Sequence, residues 1–364
     1  CLLPNAGSFG MAVSTAMIFG LVSLMFLDTS INMAMQPFKM MVGDMVNEKQ
    51  KGLAYSIQSF LCNAGSLVGF LFPFIFTWIG ISNIAPQGVV PDSVIYSFYI
   101  GAAILILCVI YTTVKVKEMP PAEYAEYHGI TEEEKKEKIN MVKLLVKAPK
   151  AFWTVGLVQF FCWFAFMFMW TYTNGSVAAN VFDAPTVETV VNGANKVVLD
   201  TKSIQYQNAA DWVGVLFAVQ AIGSVLWAVC IPMFKNRKLI YSLSLILGGI
   251  GFISTYFVHN QYVLFISFLL IGCAWAAMLA LPFTILTNAL SSGHMGTYLG
   301  LFNGTICIPQ IVVATLGGRI LALFTPKGML PPEINMLVMA GVMLIIGAVC
   351  VYLIKETKGE QAKT

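Results

Sequence analysis

Apolar residues run in long blocks along this chain, separated by short polar stretches. The blocks lie near 10–41, 53–80, 94–114, 152–173, 209–234, 239–258, 262–287, 297–323 and 334–354. Each is long enough for a helix to cross bilayer hydrocarbon, which takes roughly 20 residues. The pattern therefore predicts an all-α polytopic membrane protein with about nine spans. No basic segment precedes the first block and no small-residue cleavage site ends it, so it does not read as a signal peptide.

The first block carries a polar interruption, FLDTSINMAMQPFKMMVGD, from Phe26 to Asp44. On a helix Asn32 follows Asp28 by four residues, Gln36 by eight and Lys39 by eleven, so all four share a face. Lipid would strand such a stripe, and it is expected to look into a helix bundle or a wet cavity. A carboxylate at the centre of a span costs about 3 kcal/mol on insertion scales. Two readings fit that cost. Asp28 ties helices together by hydrogen bonds, or partial burial lifts its pKa so that it exchanges a proton near neutral pH. Lys39 reads as a snorkelling cation near the inner surface.

Residues 33–60, MAMQPFKMMVGDMVNEKQKGLAYSIQSF, and 278–303, MLALPFTILTNALSSGHMGTYLGLFN, repeat one design. In each, Pro-Phe (Pro37-Phe38, Pro282-Phe283) sits inside an apolar helix. A polar helix end, a short loop and a second helix carrying an early amide (Gln58, Asn303) follow. The prolines free a carbonyl one turn upstream and are candidate hinges. Parallel six-helix repeats are one known transporter architecture. Equivalent halves lead one to expect about three further helices before residue 1, which is Cys rather than Met.

Composition and charge refine this picture. Only 11% of the 364 residues are charged and 58% are hydrophobic, with a mean hydropathy of +0.77, whereas soluble domains are about a quarter charged. Basic residues gather on cytoplasmic loops. Placing the C-terminus inside leaves only Lys196, Lys202, Arg319 and Lys327 of the 21 outside. The segment 115–150 is then a cytoplasmic central loop, and its run TEEEKKEK predicts a short solvated helix capped by Thr131. Acids and bases nearly cancel there, so no nucleic-acid surface is indicated, and His128 reads as a surface residue. The loop 179–208 shows no motif. The eight cysteines are scattered and form no metal or disulfide framework. No phosphate-binding glycine loop or hydrolase signature points to an enzyme or primary pump.

A second stripe lies in VGLVQFFCWFAFMFMWTYTNG, where Gln159, Trp163, Trp170 and Asn174 follow one another by four, seven and four residues. Amides that bond hydroxyls and flat rings against C–H faces suit a sugar. Packing is the competing reading for Trp163, and interface anchoring for Trp170. Gln58, Asn63, Gln220, Asn303 and Gln310 are interhelical glue or ligand contacts. Trp275 faces an undetermined direction.

Three segments carry a family resemblance. DTSINMAMQPFKMMVGDM (28–45) resembles the fourth-helix signature of sucrose:proton symporter-like proteins, close to the glycoside–pentoside–hexuronide:cation symporters of the major facilitator superfamily. LVQFFCWFAFMFMWTYT (157–173) resembles that family's helix 7, and MGTYLGLFNGTICIPQI (295–311) its passage into helix 11. The resemblance implies the major facilitator fold, with two six-helix lobes and cation-driven sugar uptake by alternating access. Residues 1–114 would be the rest of the N-terminal lobe (helices 4–6), 115–150 the central loop and 151–364 the C-terminal lobe (helices 7–12). Asp28 matches the family's coupling acid, Asn32 the neighbouring amide and Asp44 the acid at the inner gate. Gln36 stands where many bacterial relatives have Glu, which bears on coupling. Lys39 stands where Arg is usual, which weakens a bidentate gate contact.

The expectation is thus a proton symporter for a disaccharide or glucoside of the maltose or sucrose type, not an enzyme. Asp28 would carry the proton, and Asn32, Gln36, Gln58, Gln159, Trp163 and Asn303 would line the substrate site. Pro37, Lys39, Asp44 and Pro282 would serve gates and hinges. No cofactor is expected beyond a proton or sodium as coupling ion. The partners would be the sugar and the bilayer, with no nucleic acid, for a monomer in a bacterial inner membrane. A sodium-coupled or passive transporter of another solute remains open, as does a sugar receptor that moves nothing.

Overall fold

The computed structural model describes residues 13–81, 92–117, 120, 123, 141–191, 194–290, 295–326 and 328–354. The helix expected at TEEEKKEK with its Thr131 cap, and His128, lie outside the described residues.

Among the described residues each apolar block falls largely on helix. Helices α1 (Val13–Met45), α2 (Glu48–Trp78) and α3 (Asp92–Lys115) take the first three. A short helix, α4 (Met141–Lys147), precedes α5 (Lys150–Asn180), which follows Pro149. Then come α6 (Ile204–Cys230), α7 (Arg237–Ser254) and α8 (Leu264–Ala289). The block near 297–323 is interrupted at Asn303 into α9 (Met295–Phe302) and α10 (Gly304–Phe324), and α11 (Ile334–Cys350) completes the order. Among the described residues eight helices are long and apolar enough to cross a membrane. The block near 53–80, one of the nine expected spans, lies in α2, a helix of 31 residues that is not among these eight.

Side-chain caps fix two helix starts. Ser203 accepts from the Tyr206 amide at α6, and Asn236 accepts from Leu239 at α7, each satisfying an amide that the first turn leaves open. The 179–208 connection is more ordered than its sequence suggested. Strands β1 (Thr186–Val191) and β2 (Ala194–Leu199) pair antiparallel from Thr186↔Leu199 to Val191↔Ala194.

Compact packing divides the chain into two units that cut across its order. One contains Cys1–Met45 and Gly65–Glu137, the other Val46–Ala64 and Lys138–Thr364. In the first unit, Phe76 of α2 meets Tyr96 of α3 with ring centroids 6.5 Å apart. Phe26 and Met33 of α1 are exposed, as befits side chains meant for lipid or further protein.

In the second unit α5 is the hub, packing against α6, α8, α10 and α11, while α7 packs against α8 and α11. Its core includes Phe152, Phe166, Phe168, Leu245, Phe252 and Phe268, all fully buried. Glycines let the backbones approach. A methyl added at Gly223 of α6 would come 2.5 Å from the Leu269 carbonyl of α8, and one at Gly272 would come 2.7 Å from the Ser224 amide. Gly249 and Gly341 bring α7 and α11 together in the same way. Such small-residue contacts replace the hydrophobic drive that lipid removes.

Gly272→Val should therefore cost about 1–3 kcal/mol by overpacking against backbone. Gly20→Ala, where nothing lies within 4 Å, should not destabilise. Thermal unfolding in detergent would check both. Equal melting temperatures for Gly272→Val and the parent chain would contradict the close α6–α8 crossing.

Candidate functional site

The second unit gathers its chemistry on α5 and α8, each with a different demand on hydrogen bonding. Pro282 is buried inside α8 and has no amide hydrogen to give the carbonyl four residues back, that of Met278. Gln159 of α5 meets it: its Nε2 donates to the Met278 carbonyl oxygen at 2.9 Å. Gln159 is fully buried, and its Oε1 is left without a partner among the described residues. The residue expected to face substrate thus also closes the gap that a proline opens in the neighbouring helix.

One turn along α5, the predicted stripe becomes an aromatic cluster. Trp163 and Trp170 lie 6.3 Å apart, and Trp275 of α8 meets them edge-on at 5.8 and 5.6 Å. Phe166 backs Trp275 at 4.8 Å. Trp163 and Trp275 are half-buried and Trp170 is exposed, so the cluster is open on one side. Trp212 and Trp227 donate their indole N–H to the Gln261 carbonyl and the Ser244 hydroxyl. The Trp163 Nε1 is instead buried without a partner. An unmet buried donor costs about 1–3 kcal/mol, which a water or a ligand hydroxyl would recover. Asn174, the last member of the stripe, donates to the Tyr206 hydroxyl at 2.9 Å and keeps its Oδ1 unpaired. Trp275 and Phe166 are the members that the sequence did not single out.

The other expected residues fall in distinct places. Gln58 is half-buried, in the part of α2 that belongs to the second unit. Beside it Ser59 donates to the Ala276 carbonyl of α8 at 3.3 Å, and the buried Asn63 donates to the Ser59 carbonyl at 2.7 Å. Asn303 is half-buried at the α9–α10 interruption. Its Nδ2 contacts Cys307 Sγ at 3.9 Å and its Oδ1 is unpaired. In the first unit Asp28 is exposed on α1, and Asn32 spends its amide on the Asp28 backbone carbonyl at 2.9 Å. Lys39 is buried and Pro37 exposed. The side chains of Gln36 and Asp44 lie outside the described residues. Pro37 lies eight residues before the end of α1 and Pro282 seven before the end of α8, so the proline marks nearly the same point of the first helix in each copy. The second helices differ, α2 running unbroken where the other copy is interrupted at Asn303.

The family model described as Major Facilitator Superfamily matches residues 2–191 and again residues 186–364. The chain belongs to the Major Facilitator Superfamily. Its members are transporters rather than enzymes, and this chain is a multi-pass transporter of that superfamily. Among solved structures it is similar to the E. coli fucose:proton symporter FucP, with a TM-score of 0.60 and 15% identity over 96% of this chain and 81% of that one. At that identity the likeness concerns the fold. No curated protein sequence matches the chain.

The Pro282–Gln159 pairing sets a double-mutant expectation. Gln159→Leu should destabilise by about 1–3 kcal/mol, because it leaves a buried carbonyl unmet. In a Pro282→Ala background the restored amide serves Met278, and the same change should cost clearly less. Equal costs in the two backgrounds, from melting in detergent, would break the link.

Proposed function

We propose that this transporter carries a sugar, a disaccharide or glucoside of the maltose or sucrose type, together with a proton. The open cluster of Trp163, Trp170 and Trp275, with an unmet indole donor among apolar faces, carries the reading. Flat rings fit the C–H faces of a pyranose, and the free Trp163 N–H can take a hydroxyl of the sugar. Gln159 Oε1 and Asn174 Oδ1 are further acceptors on the same helix.

Two observations lend support. The fold neighbour is by its own description a fucose:proton symporter, and the Asp28–Met45 segment resembles the sucrose:proton symporter-like signature. Asp28 is the coupling acid in this reading. It is exposed at mid-helix on α1, where a carboxylate in hydrocarbon needs water or a protein partner, and a water path is what proton exchange requires. Asn32, Gln36, Gln58 and Asn303 are the polar candidates for hydroxyl contacts. Pro37, Pro282, Lys39 and Asp44 serve the movements.

The test is a sugar-induced pH change in vesicles holding the full protein. Adding maltose or sucrose outside should alkalinise the medium, and Asp28→Asn should abolish that signal while sugar exchange survives. Sodium-dependent uptake with a flat pH trace would instead make it a sodium symporter, and binding without exchange a receptor. A preference for fucose over the disaccharides would move the substrate class to monosaccharides.

The aromatic cluster has a separate test. Trp163→Ala and Trp275→Ala should each weaken sugar binding about tenfold, the equivalent of about 1.4 kcal/mol. Unchanged affinity in both would reduce the cluster to packing.

A further inference from the structure

Glu333 stands at the start of α11, after the connection from α10. A carboxylate there would ordinarily accept the free amides of its own helix, yet Glu333 makes no side-chain cap bond. Its carboxyl turns to α5. A Cβ on Gly175 would collide with Oε2 and come 2.9 Å from Oε1, so the absent side chain of that glycine is what makes room for it. Tyr172 stands one turn earlier on α5, near enough to feel the charge of Glu333. The Tyr172 hydroxyl in turn lies against Gly317 of α10, 2.8 Å from where a Cβ would be. The carboxyl is thus wedged at the lysine-poor ends of α5, α10 and α11.

The groups around it leave it uncompensated. From α5 the titratable neighbour is Tyr172. Arg319 of α10 is exposed at this end, and His259 holds the Asn180 carbonyl at 3.2 Å. Lys327, in the same connection, lies outside the described residues. Among the described residues no cation pairs with Glu333.

We infer that Glu333 is a proton-binding site separate from Asp28, and that its protonation docks the start of α11 into the Gly175 groove of α5. Burial pushes its carboxyl from 4.5 up to about 7, so the change falls near neutral pH. The sign follows from proton counts. Between the two values the folded state keeps a proton that the unfolded state has lost, so stability falls as pH rises from about 4.5 through about 7 and then levels off. Neutral, the carboxyl fits the groove. Ionised, it is drawn out towards water or the open amides of α11.

Melting temperatures of the full chain in detergent, between about pH 5 and pH 8, test this in wild type and Glu333→Gln. The wild type should lose stability across that window relative to Glu333→Gln, in which this loss is absent. Parallel curves would overturn the assignment. Infrared titration supplies a second readout. Wild type should lose a protonated-carboxyl band with a midpoint near neutrality, and Glu333→Gln should lack that component. Should the glutamine variant not fold, Gly175→Ala, which evicts the carboxyl, should move the midpoint towards the ordinary carboxylate range. An unmoved midpoint in a folded Gly175→Ala protein, or no such band in the wild type, would equally overturn the proposal. Neither readout involves sugar, so both stand apart from the symport reading.

Discussion

A carbonyl in hydrocarbon has no water to turn to, so whatever a helix leaves open must be met by the protein itself. Pro282 opens such a gap at Met278, and Gln159 closes it from the neighbouring helix. Serine and threonine follow the same constraint more locally. Thr29, Ser30, Thr171 and Thr284 each return their hydroxyl to the carbonyl four residues back, which lets a polar residue sit in a span with no outside partner. Against that background the exceptions carry information. Trp163 Nε1, Gln159 Oε1 and Asn174 Oδ1 are unmet atoms on the single helix α5. Asn63 Oδ1, Ser224 Oγ, the Tyr241 hydroxyl and Asn303 Oδ1 are unmet elsewhere among the described residues, so it is the Trp163 donor, set beside the exposed ring of Trp170, that distinguishes α5.

The aromatic cluster depends on the glycine contacts that hold the helices close. Gly272 presses α8 onto α6, and Trp275 follows three residues later, almost one turn along the same helix. Its ring position against Trp163 and Trp170 is thus fixed by backbone contact rather than by a flexible side chain. Phe166, fully buried, supports it from behind. A rigid aromatic surface loses little entropy on binding, which is where selective recognition gains its strength.

The spans were legible because length and apolarity decide them, and the Pro-Phe repeat because a proline marks the same point of two helices. The direction of Trp275 was not legible: α8 is apolar on every side, and a helix without a polar face gives no bearing. The shared face of Gln159, Trp163, Trp170 and Asn174 followed from spacing, but spacing could not show that Gln159 gives half its amide to Met278. The β1–β2 hairpin had a signal that went unused. The sequence places the dipeptide Asn-Gly at 192–193, between the β-branched runs of Thr186–Val191 and Ala194–Leu199, and Asn-Gly is a dipeptide that favours two-residue hairpins. Glu333 escaped because its burial comes from Gly175, far away in sequence, and nothing local announces it.

These features meet on α5. Between Lys150 and Asn180 no proline interrupts it, whereas α8 and α10, which pack on it, carry Pro282 and Pro309. Prolines mark the points where α8 and α10 can bend, and α5 has none. Trp170, Tyr172 and Gly175 lie within two turns of one another. The ring that would meet a ligand and the groove that takes the Glu333 carboxyl are therefore on one continuous helix. A ligand that displaced α5 would change the room at Gly175, and by reciprocity a proton at Glu333 would then change the fit at the tryptophans. A bend at Pro282 would work against the bond from Gln159 to Met278, so this one hydrogen bond would oppose such a motion while joining α5 to it.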